Sequence, residues 1–397
     1  MKKTGLIFYY NPQNRNGFNA LASALEIDKF FRDLEIVFAV DEPDLLAKTE
    51  GLCEKNDKIV VCFSFFSNQI ENIKKITKKL RERFKKKVLI VAGGPHPTGN
   101  IKETLGMGFD FALKGEAEKT FPLLLKRIMR KEKPKKTENK FKPIDINDYP
   151  AVSVKYDTLG SIEITRGCPF ACSYCQTSHI FGKKVRHRSI KNILDAAKAI
   201  KKRYKGQKNI YFRFISPDAF AYGSKDGRKI NIGSLEKLLS GLRKIAGREI
   251  KIFFGTFPSE VRPEHVTKET IGLILKYCDN DNLIIGAQTG SPQMLKACRR
   301  GHTIEDVYSA VKLIKGAGLT ANVDFIFGLP GETKKDAELT VETMENLIKM
   351  GARIHGHLFT PLPQTAFRNK PAGKIHSVIQ NFLNKYKPKN VVYGNIK

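Results

Sequence analysis

The chain alternates short apolar runs of strand length with longer amphipathic stretches, and this pattern occurs twice along its 397 residues. In the first part, β-rich runs lie at 5–10, 35–40, 58–66, 88–94 and 109–114, and helical patterns lie at 18–31, 44–55, 69–86, 97–106 and 116–130. Strands that alternate with helices across short loops predict a parallel sheet with helices on both faces. The first part is therefore expected to be a Rossmann-like α/β domain.

A polar, proline-interrupted segment at 131–140 separates this pattern from the second one, and it predicts a linker. Further strand candidates lie at 161–165, 209–215, 250–256, 282–288, 321–327 and 353–359, and helices follow five of them. Six β/α units suit an incomplete barrel better than an open sheet. The predicted organisation is a first domain at 1–135, a linker at 136–155, a barrel at 156–370 and a short extension at 371–397.

Composition limits the environment and the partners of the chain. Hydrophobic residues make up 41% and charged residues 28%, which predicts a folded protein with a large core. No apolar run approaches the length of a membrane span, and the N-terminus shows no signal-peptide pattern, so we expect a cytoplasmic protein. The formal net charge of +30 would favour an acidic partner, but the basic residues are spread along the chain and favour solvated surfaces over a nucleic-acid site.

Three of the seven cysteines fall within eight residues, in Gly167-Cys168-Pro169-Phe170-Ala171-Cys172-Ser173-Tyr174-Cys175. This spacing follows the first predicted strand of the second domain. Three thiolates on one loop predict the ligands of three irons of a 4Fe–4S cluster, with the fourth iron left open. The alternative is a structural zinc site completed by His179. The cluster is favoured because zinc sites usually use paired C-x2-C motifs.

Residues 161–365 resemble the radical S-adenosylmethionine superfamily. The resemblance implies a six-stranded partial barrel in which the open iron chelates S-adenosylmethionine and one electron cleaves it to methionine and a 5′-deoxyadenosyl radical. The downstream motifs fit in order: Ser216-Pro217-Asp218 stands where the family commonly has Gly-Gly-Glu, and Gly286–Ser291 and Phe327–Thr333 resemble its later loops. The implied S-adenosylmethionine contacts are Tyr174, Ser216, Asp218, Thr256, Gln288, Thr289, Ser291, Gly328, Pro361 and Leu362.

Two strand-end motifs in the first domain, Ala92–Thr98 and Lys114–Thr120, resemble those of cobalamin-binding domains fused to radical S-adenosylmethionine enzymes. Paired glycines at a strand end let a bulky ligand meet the backbone. The resemblance implies cobalamin contacts at Asn11, Gln13, Ser64, Phe65, Gly93, Gly94, His96, Gly115 and Glu116. The loop at 11–17 contains no histidine, so cobalamin is expected base-off and without a histidine ligand. The alternative is a docking domain whose glycines only form turns.

The two resemblances together imply a cobalamin-dependent radical C-methyltransferase. A 5′-deoxyadenosyl radical would remove a substrate hydrogen, and an unactivated carbon would then take the methyl group of methylcobalamin. A tRNA methylthiotransferase is less favoured because the first domain has only Cys53 and Cys62 for an auxiliary cluster and the segment after Thr365 is short for an RNA-binding barrel. A non-methylating cobalamin radical enzyme remains a further alternative.

Substrate and partners follow only by analogy. The lysine-rich composition is typical of a thermophilic archaeon, and this suggests a protein or peptide substrate such as a glutamine or arginine of methyl-coenzyme M reductase. An electron donor such as ferredoxin or flavodoxin is also implied.

Overall fold

The computed structural model describes residues 4–138, 143–394 and 396. The chain divides into two compact units, Met1–Gly160 and Ser161–Lys397. The boundary thus lies later than the predicted one, because the part of the expected linker that follows residue 142 groups with the first unit. Thr137–Glu138 forms a short strand, and residues 139–142 of the expected linker lie outside the described residues, as do residues 1–3.

The first unit is built on a parallel six-stranded sheet. Its strands are β1 (Thr4–Tyr9), β2 (Ile36–Ala39), β3 (Lys58–Ser64), β4 (Val88–Gly93), β5 (Phe111–Leu113) and β6 (Thr137–Glu138). Its helices are α1 (Arg15–Glu26), α2 (Glu42–Lys55), α3 (Ile70–Phe84), α4 (Pro95–Gly99), α5 (Ile101–Gly106) and α6 (Thr120–Met129). The order in the sheet is β2-β1-β3-β4-β5-β6, so the chain reverses its direction of growth between β1 and β3.

Apolar side chains cover both faces of this sheet. Side chains alternate between the faces along each strand, so Val61 and Phe63 join one buried cluster while Val60 and Cys62 join the other. This two-sided burial explains the nearly continuous apolar runs that predicted the strands. Helix α6 begins at Thr120 rather than at the predicted residue 116, because the residues before it form the loop at the end of β5.

The second unit carries its strands in chain order around a partial barrel. The strands are β7 (Ile162–Glu163), β8 (Thr165–Arg166), β9 (Arg186–His187), β10 (Tyr211–Phe212), β11 (Phe214–Ile215), β12 (Lys251–Ile252), β13 (Asn282–Gln288), β14 (Thr320–Phe327), β15 (Arg353–Leu358) and β16 (Val392–Tyr393). The helices are α7 (Thr177–Phe181), α8 (Ile190–Arg203), α9 (Ile232–Ala246), α10 (Lys268–Tyr277), α11 (Pro292–Ala297), α12 (Ile304–Gly316), α13 (Lys334–Lys349) and α14 (Ser377–Tyr386).

Parallel pairing connects the six predicted strand positions in sequence. β11 pairs with β7, β10 pairs with β12, a bridge joins Val261 to Ile285, and β13, β14 and β15 are neighbours. The predicted strand at 209–215 is split because its two halves pair with different neighbours. The C-terminal extension adds β16 as a further parallel strand beside β15, and Tyr386 of α14 donates a hydrogen bond to Glu345 of α13.

Among the described residues, no helix has both the length and the apolar character that crossing a bilayer requires.

The turn after β13 depends on a glycine without a side chain. A Cβ on Gly290 would lie 2.5 Å from Thr343 Oγ1 and 2.7 Å from Leu339 O of α13.

We therefore expect Gly290→Ala to lower the free energy of unfolding by about 1–3 kcal/mol, measured by chemical denaturation, because the helix must move away. The matched control is Gly272→Ala, at an exposed position of helix α10 where a Cβ meets nothing within 4 Å. There we expect a gain of about 0.5–1 kcal/mol. Equal effects at both positions would contradict this packing.

Candidate functional site

The cysteine loop is held by a short hairpin. β8 and β9 pair antiparallel on either side of it, through Thr165 with His187 and Arg166 with Arg186. Gly167 adopts φ +88°, and a Cβ there would lie 2.2 Å from Lys184 O, so only glycine permits this crossing. The backbone N–H of Cys168 donates to Gly182 O at 3.1 Å. The first cysteine is thus fixed by the chain on both sides of the loop.

The second half of the loop is bound to the end of α11. The Ser173 backbone N–H donates to Cys298 O at 3.0 Å, and its hydroxyl donates to Ala297 O at 2.8 Å. These two bonds bring Cys172 and Cys175 against the segment that follows β13. Ser173 is therefore a positioning residue that the cysteine spacing alone did not indicate.

The three thiols line one cavity of about 440 Å³ at the ends of the barrel strands. All seven cysteines are free, so none of the three is committed to a disulfide. The cavity is also lined by five of the predicted S-adenosylmethionine contacts: Tyr174, Ser216, Asp218, Gln288 and Leu362. The cavity is also lined by ionisable residues that the sequence analysis did not select: Glu260, Arg262, Arg300, Asp324 and His357.

The electrostatic surroundings of the thiols combine burial with positive charge. Burial raises the pKa of Cys168 and of Cys175, so iron must displace protons when it binds. Arg300 is buried and its Nη1 lies 3.7 Å from Cys172 Sγ. Arg262 stacks on Phe170 with 3.5 Å between its guanidinium carbon and the ring centroid, and its charge counteracts the rise in the pKa of Cys168. Two arginines thus stabilise negative charge on the sulfur atoms.

The spacing of the thiols does not fit a single zinc ion. With Zn–S bonds of about 2.3 Å, tetrahedral ligands lie about 3.8 Å apart. Among the described residues, the only group of three donor side chains within 4.8 Å of one another is Asp324, His355 and His357. His179 is exposed and does not line the cavity. The three thiols are therefore spaced for a larger centre, and the donor set fits a 4Fe–4S cluster.

Two of the predicted cavity residues have unusual local structure. Gln288 adopts φ +76° next to a bulge in the pairing of β13 with β14, and this conformation directs its side chain to the cavity. Asp218 accepts from the Phe220 backbone N–H at 3.2 Å and bonds His265 Nδ1. Although burial lowers the pKa of His265, its bond to Asp218 raises it overall. The Asp218 carboxylate is thus already engaged within the protein.

Five predicted contacts do not line the cavity: Thr256, Thr289, Ser291, Gly328 and Pro361. The Thr289 hydroxyl bonds Thr340 Oγ1 at 3.1 Å, and the Ser291 hydroxyl caps α11 and bonds Asp336. Both residues are fully buried and their hydroxyls are bonded within the turn after β13, so they do not line the cavity in this structure. Gly328 accommodates the close passage of Gly373, because a Cβ there would lie 2.8 Å from Gly373 Cα.

The first unit has a separate candidate site, at the carboxyl ends of β1 and β3 where the sheet order reverses. Open parallel sheets bind ligands at such a point. Asn14 joins the two strand ends, since its side-chain amide donates to Tyr9 O at 2.8 Å and to Ser64 O at 3.1 Å. Asn11 and Gln13 lie on the same loop, and Asn11 Oδ1 accepts from the backbone of Gln13 at 3.0 Å. Asn14 was missed because a buried linking amide has no sequence motif.

The glycine pair at the end of β4 has two different roles. Gly94 adopts φ +93°, and a Cβ there would lie 2.6 Å from Ser64 Oγ and 2.9 Å from the Phe65 backbone nitrogen. A Cβ on Gly93 would meet nothing within 4 Å, so this position leaves open space at the sheet edge. A bulky, flat ligand can therefore approach the backbone there, which is the property that cobalamin requires.

Two predicted cobalamin contacts are turned inward. His96 is 2% exposed, stacks on Phe65 with 5.6 Å between ring centroids, and its Nδ1 lies 3.0 Å from Ser67 Oγ. Glu116 is also buried and accepts from the Ile144 backbone N–H at 3.0 Å. The Gly115 backbone N–H donates to Thr98 Oγ1 at 2.9 Å, which ties the loops after β4 and β5 together. The side chains of His96 and Glu116 thus pack inside the protein and stabilise the loops after β4 and β5.

Comparison with protein families assigns a domain to each unit. Residues 162–344 match the radical SAM superfamily model, and residues 9–125 match the B12-binding domain model. The structure resembles that of the radical S-adenosylmethionine methyltransferase TsrM from Kitasatospora setae, with a TM-score of 0.69 and 15% identity, over 93% of this chain and 77% of that one. It also resembles the cobalamin-dependent S-adenosylmethionine radical enzyme OxsB, with a TM-score of 0.65 and 17% identity, over 87% of this chain and 52% of that one.

Curated relatives match this chain at 26–28% identity. A protein named as an uncharacterized methyltransferase of Pyrococcus horikoshii is 26% identical, over 82% of this chain and 69% of its own length. An uncharacterized protein of Methanopyrus kandleri is 28% identical over 53% of this chain, which spans only 39% of that relative. The tRNA-2-methylthio-N(6)-dimethylallyladenosine synthase of Geobacter sulfurreducens is 26% identical, over 52% of this chain and 43% of its own length. The first two are archaeal, in agreement with the lysine-rich composition.

Both domain matches fall within the units defined by the fold, and in each unit the candidate ligand groups lie at the carboxyl ends of parallel strands. The first unit therefore contains a B12-binding domain and the second a radical S-adenosylmethionine domain.

Proposed function

We propose that this chain is a cobalamin-dependent radical S-adenosylmethionine methyltransferase that methylates an unactivated carbon. The observation that carries the proposal is the set of three free thiols that open into one cavity at the barrel strand ends, spaced too widely for a single zinc ion. The B12-binding domain supports the methyl-transfer part of the proposal. When bound, the cluster, S-adenosylmethionine and cobalamin supply radical formation and the methyl group.

In this proposal Cys168, Cys172 and Cys175 hold the cluster and leave one iron free for S-adenosylmethionine. Arg300 is placed to bind the carboxylate of that molecule. Its guanidinium borders the cavity beside Cys172, and within the described residues its Nε has no hydrogen-bond partner despite burial. An unpartnered buried donor is costly, and a carboxylate would satisfy it.

Part of the cavity wall is apolar. Tyr174 packs against a small cluster formed by Met294, Cys298, Leu329 and Phe359. A flat, weakly polar group such as adenine fits such a wall. We therefore assign Tyr174 to the adenine side, while Gln288 and Ser216 offer polar side chains toward the ribose and methionine parts.

Cobalamin is assigned to the edge of the first unit formed by Asn11, Gln13, Ser64 and Gly93. We propose that it binds base-off without a histidine ligand, because the loop after β1 contains no histidine and the ring of His96 is buried against Phe65. Burial also lowers the pKa of His96, which keeps the ring neutral. The chain contributes hydrogen bonds and open space at this edge, and no metal ligand.

The similarity to a tRNA methylthiotransferase extends to half of the chain only. Such enzymes would need an auxiliary cluster in the first unit. There Cys53 packs against one face of the sheet and Cys62 belongs to the cluster on the other face, so the two thiols cannot share an iron centre. This arrangement favours methyl transfer over methylthio transfer.

The remaining assignments rest on the domain composition. Radical S-adenosylmethionine proteins need a low-potential electron donor, and we propose ferredoxin or flavodoxin in a reducing cytoplasm, since all seven cysteines are free. The net charge of +30 would attract an acidic donor. A peptide substrate, such as a glutamine or arginine of methyl-coenzyme M reductase, stays a prediction by analogy.

The cluster assignment is tested by iron content. In anaerobically reconstituted wild-type protein, we expect about four irons per chain and a broad visible absorption band. In Cys172→Ser we expect iron and absorption near background, because one of three ligands is lost. The control is Cys53→Ser, a half-buried thiol of α2 in the first unit, which should bind the same iron as the wild type. Equal iron in both variants would contradict the assignment.

The cobalamin assignment is tested at Gly93. A leucine there meets no protein atom at its Cβ but fills the open sheet edge. We expect Gly93→Leu to weaken cobalamin binding at least about tenfold, equal to about 1.4 kcal/mol, in equilibrium dialysis, with an unchanged melting temperature. Gly51→Leu is the control, because Gly51 also has no neighbour within 4 Å but lies on α2. Unchanged binding in Gly93→Leu would place cobalamin elsewhere.

The prediction that cobalamin binds without a histidine ligand is tested by spectroscopy of the cobalt. Electron paramagnetic resonance of the bound cob(II)alamin should lack nitrogen coupling from a protein ligand, in wild type and in His96→Ala alike. A nitrogen signal that His96→Ala removes would show that His96 leaves its buried position and binds cobalt.

The activity is tested with the complete enzyme, loaded with iron, sulfide and cobalamin and given a low-potential reductant and methyl-labelled S-adenosylmethionine. We expect 5′-deoxyadenosine and, with the right acceptor, a product that carries the label, both detected by mass spectrometry. Formation of 5′-deoxyadenosine with a cobalamin-independent, unmethylated product would overturn the methyltransferase assignment while the radical one stands.

A further inference from the structure

Four ionisable side chains from elements other than the cysteine loop meet inside the barrel. Asp324 lies on β14 and His355 and His357 lie on β15, where Asp324 is in register with His355. His355 Nδ1 lies 3.0 Å from Asp324 Oδ1, and the two imidazole rings have centroids 4.2 Å apart. Glu260, from the segment before the Val261–Ile285 bridge, shares a hydrogen bond with Asp324. Glu260, Asp324 and His357 line the cavity.

This group lies deeper in the barrel than the proposed S-adenosylmethionine contacts. Asp324 precedes Gly328, at the end of β14, by four residues, which corresponds to about 13 Å along a strand. His355 likewise lies in the middle of β15 and stacks on Tyr393 of β16 with centroids 4.6 Å apart. The cavity therefore has a polar floor formed by strand interiors below its strand-end rim.

The floor carries more carboxyl groups than it can ionise together. Glu260 is exposed to the cavity, whereas surrounding protein atoms desolvate its carboxyl group; this desolvation, followed by the charge of Asp324, raises its pKa to about 8. Burial raises the pKa of Asp324 to about 7. The two groups share a proton, which Glu260 donates and Asp324 accepts. Burial lowers the pKa of His355 and His357, so the imidazoles are neutral.

The nearby cation, Arg300, already has hydrogen-bond partners outside this group. Arg300 donates to Gly286 O at 2.6 Å and contacts Cys172 Sγ, and it is the proposed partner of the S-adenosylmethionine carboxylate. Tyr393 of β16 stacks on His355, and the guanidinium carbon of Arg353 lies 5.0 Å from the centroid of the Tyr393 ring. Burial raises the pKa of Glu260 and of Asp324, and the charge of Arg300 lowers both, but not enough to reverse that rise.

We propose that Glu260, Asp324, His355 and His357 form a recognition site for a cationic nitrogen group of the substrate, an ammonium or a guanidinium. The inference rests on the proposed function, because it assumes that the barrel interior receives the substrate. A cation with several N–H donors would replace the shared proton, ionise both carboxyl groups and donate to the open nitrogen of His357. A neutral group of the same shape would leave the pair protonated and gain less.

The test compares two probes of nearly equal shape, N-acetyl-arginine amide and the neutral N-acetyl-citrulline amide. Binding to the cluster-loaded enzyme with S-adenosylmethionine is measured by anaerobic titration calorimetry. We expect the arginine probe to bind at least about tenfold more tightly, the size of one charge-assisted hydrogen-bonded pair. Its measured enthalpy should also change with the ionisation enthalpy of the buffer near pH 7, because protons leave the Glu260–Asp324 pair on binding.

Variants locate the effect. Glu260→Gln and Asp324→Asn should each reduce the preference for the arginine probe to about threefold or less. Glu236→Gln is the control, since the Glu236 side chain is 43% exposed and pairs with Lys276 on helix α10, and the full preference should remain. Glu260→Gln keeps the test valid if Asp324→Asn unfolds, because the Glu260 side chain opens into the cavity. Melting temperatures and iron content report folding.

Three results would overturn the inference. They are equal binding of both probes by the wild type, an unchanged preference in Glu260→Gln, and retention of one divalent metal ion per chain that His357→Ala abolishes. The 5′-deoxyadenosine yield in the same samples reports the proposed function separately. If the enzyme prefers the arginine probe but forms no 5′-deoxyadenosine, the proposed function is wrong and the cation site stands. If it forms 5′-deoxyadenosine but shows no preference, only the cation site is wrong.

Discussion

The hydrogen bonds that fix the cysteine loop are the constraint on which the rest of the second unit depends. The loop leaves β8 through Gly167, returns through the β8–β9 pair, and is bound by Ser173 to the end of α11. Because its anchors are backbone groups of separate elements, the thiols take positions that no local sequence preference would hold. Arg300 is brought beside Cys172 by the same contact with α11. The same contacts therefore position the thiols, Arg300 and the cavity that they line.

Both units place their candidate groups at the same kind of location. Parallel strands direct their carboxyl ends to one edge, and the loops that follow can vary without disturbing the buried strands. In the first unit this edge is opened by Gly93 and joined by Asn14, whereas in the second it is lined by thiols and charged side chains. The apolar clusters on both faces of the first sheet explain why its loops can leave such an edge uncovered.

The sequence predicts the features that repeat or that carry rare residue types. Alternating apolar runs predict the strands, and the cysteine spacing predicts the loop that lines the cavity. The sequence does not predict how hydroxyl groups are used: Thr289 and Ser291 match a ligand-binding motif, but caps and buried hydrogen bonds within the turn occupy them. The polar floor was also missed, because Asp324 and His355 become neighbours only through the register of β14 and β15.

The sequence does not predict where the first unit ends, for a similar reason. The polar composition of residues 131–140 predicts a linker, yet Thr137 and Glu138 pair with β5, and residues 143–160 group with the first unit. A short strand at a sheet edge needs little apolar sequence, since its neighbour supplies the pairing. Lys155 shows how the following segment is bound to the first unit, because its ammonium donates to Phe31 O at 2.8 Å.

The central claim is that the thiol trio leaves one iron open for S-adenosylmethionine. The most direct measurement is electron–nuclear double resonance of the reduced, reconstituted protein with S-adenosylmethionine labelled with ¹⁵N in its amino group. The account predicts a ¹⁵N coupling to the cluster that appears only with the labelled molecule. A cluster signal that S-adenosylmethionine leaves unchanged, or stoichiometric zinc in place of iron, would contradict it.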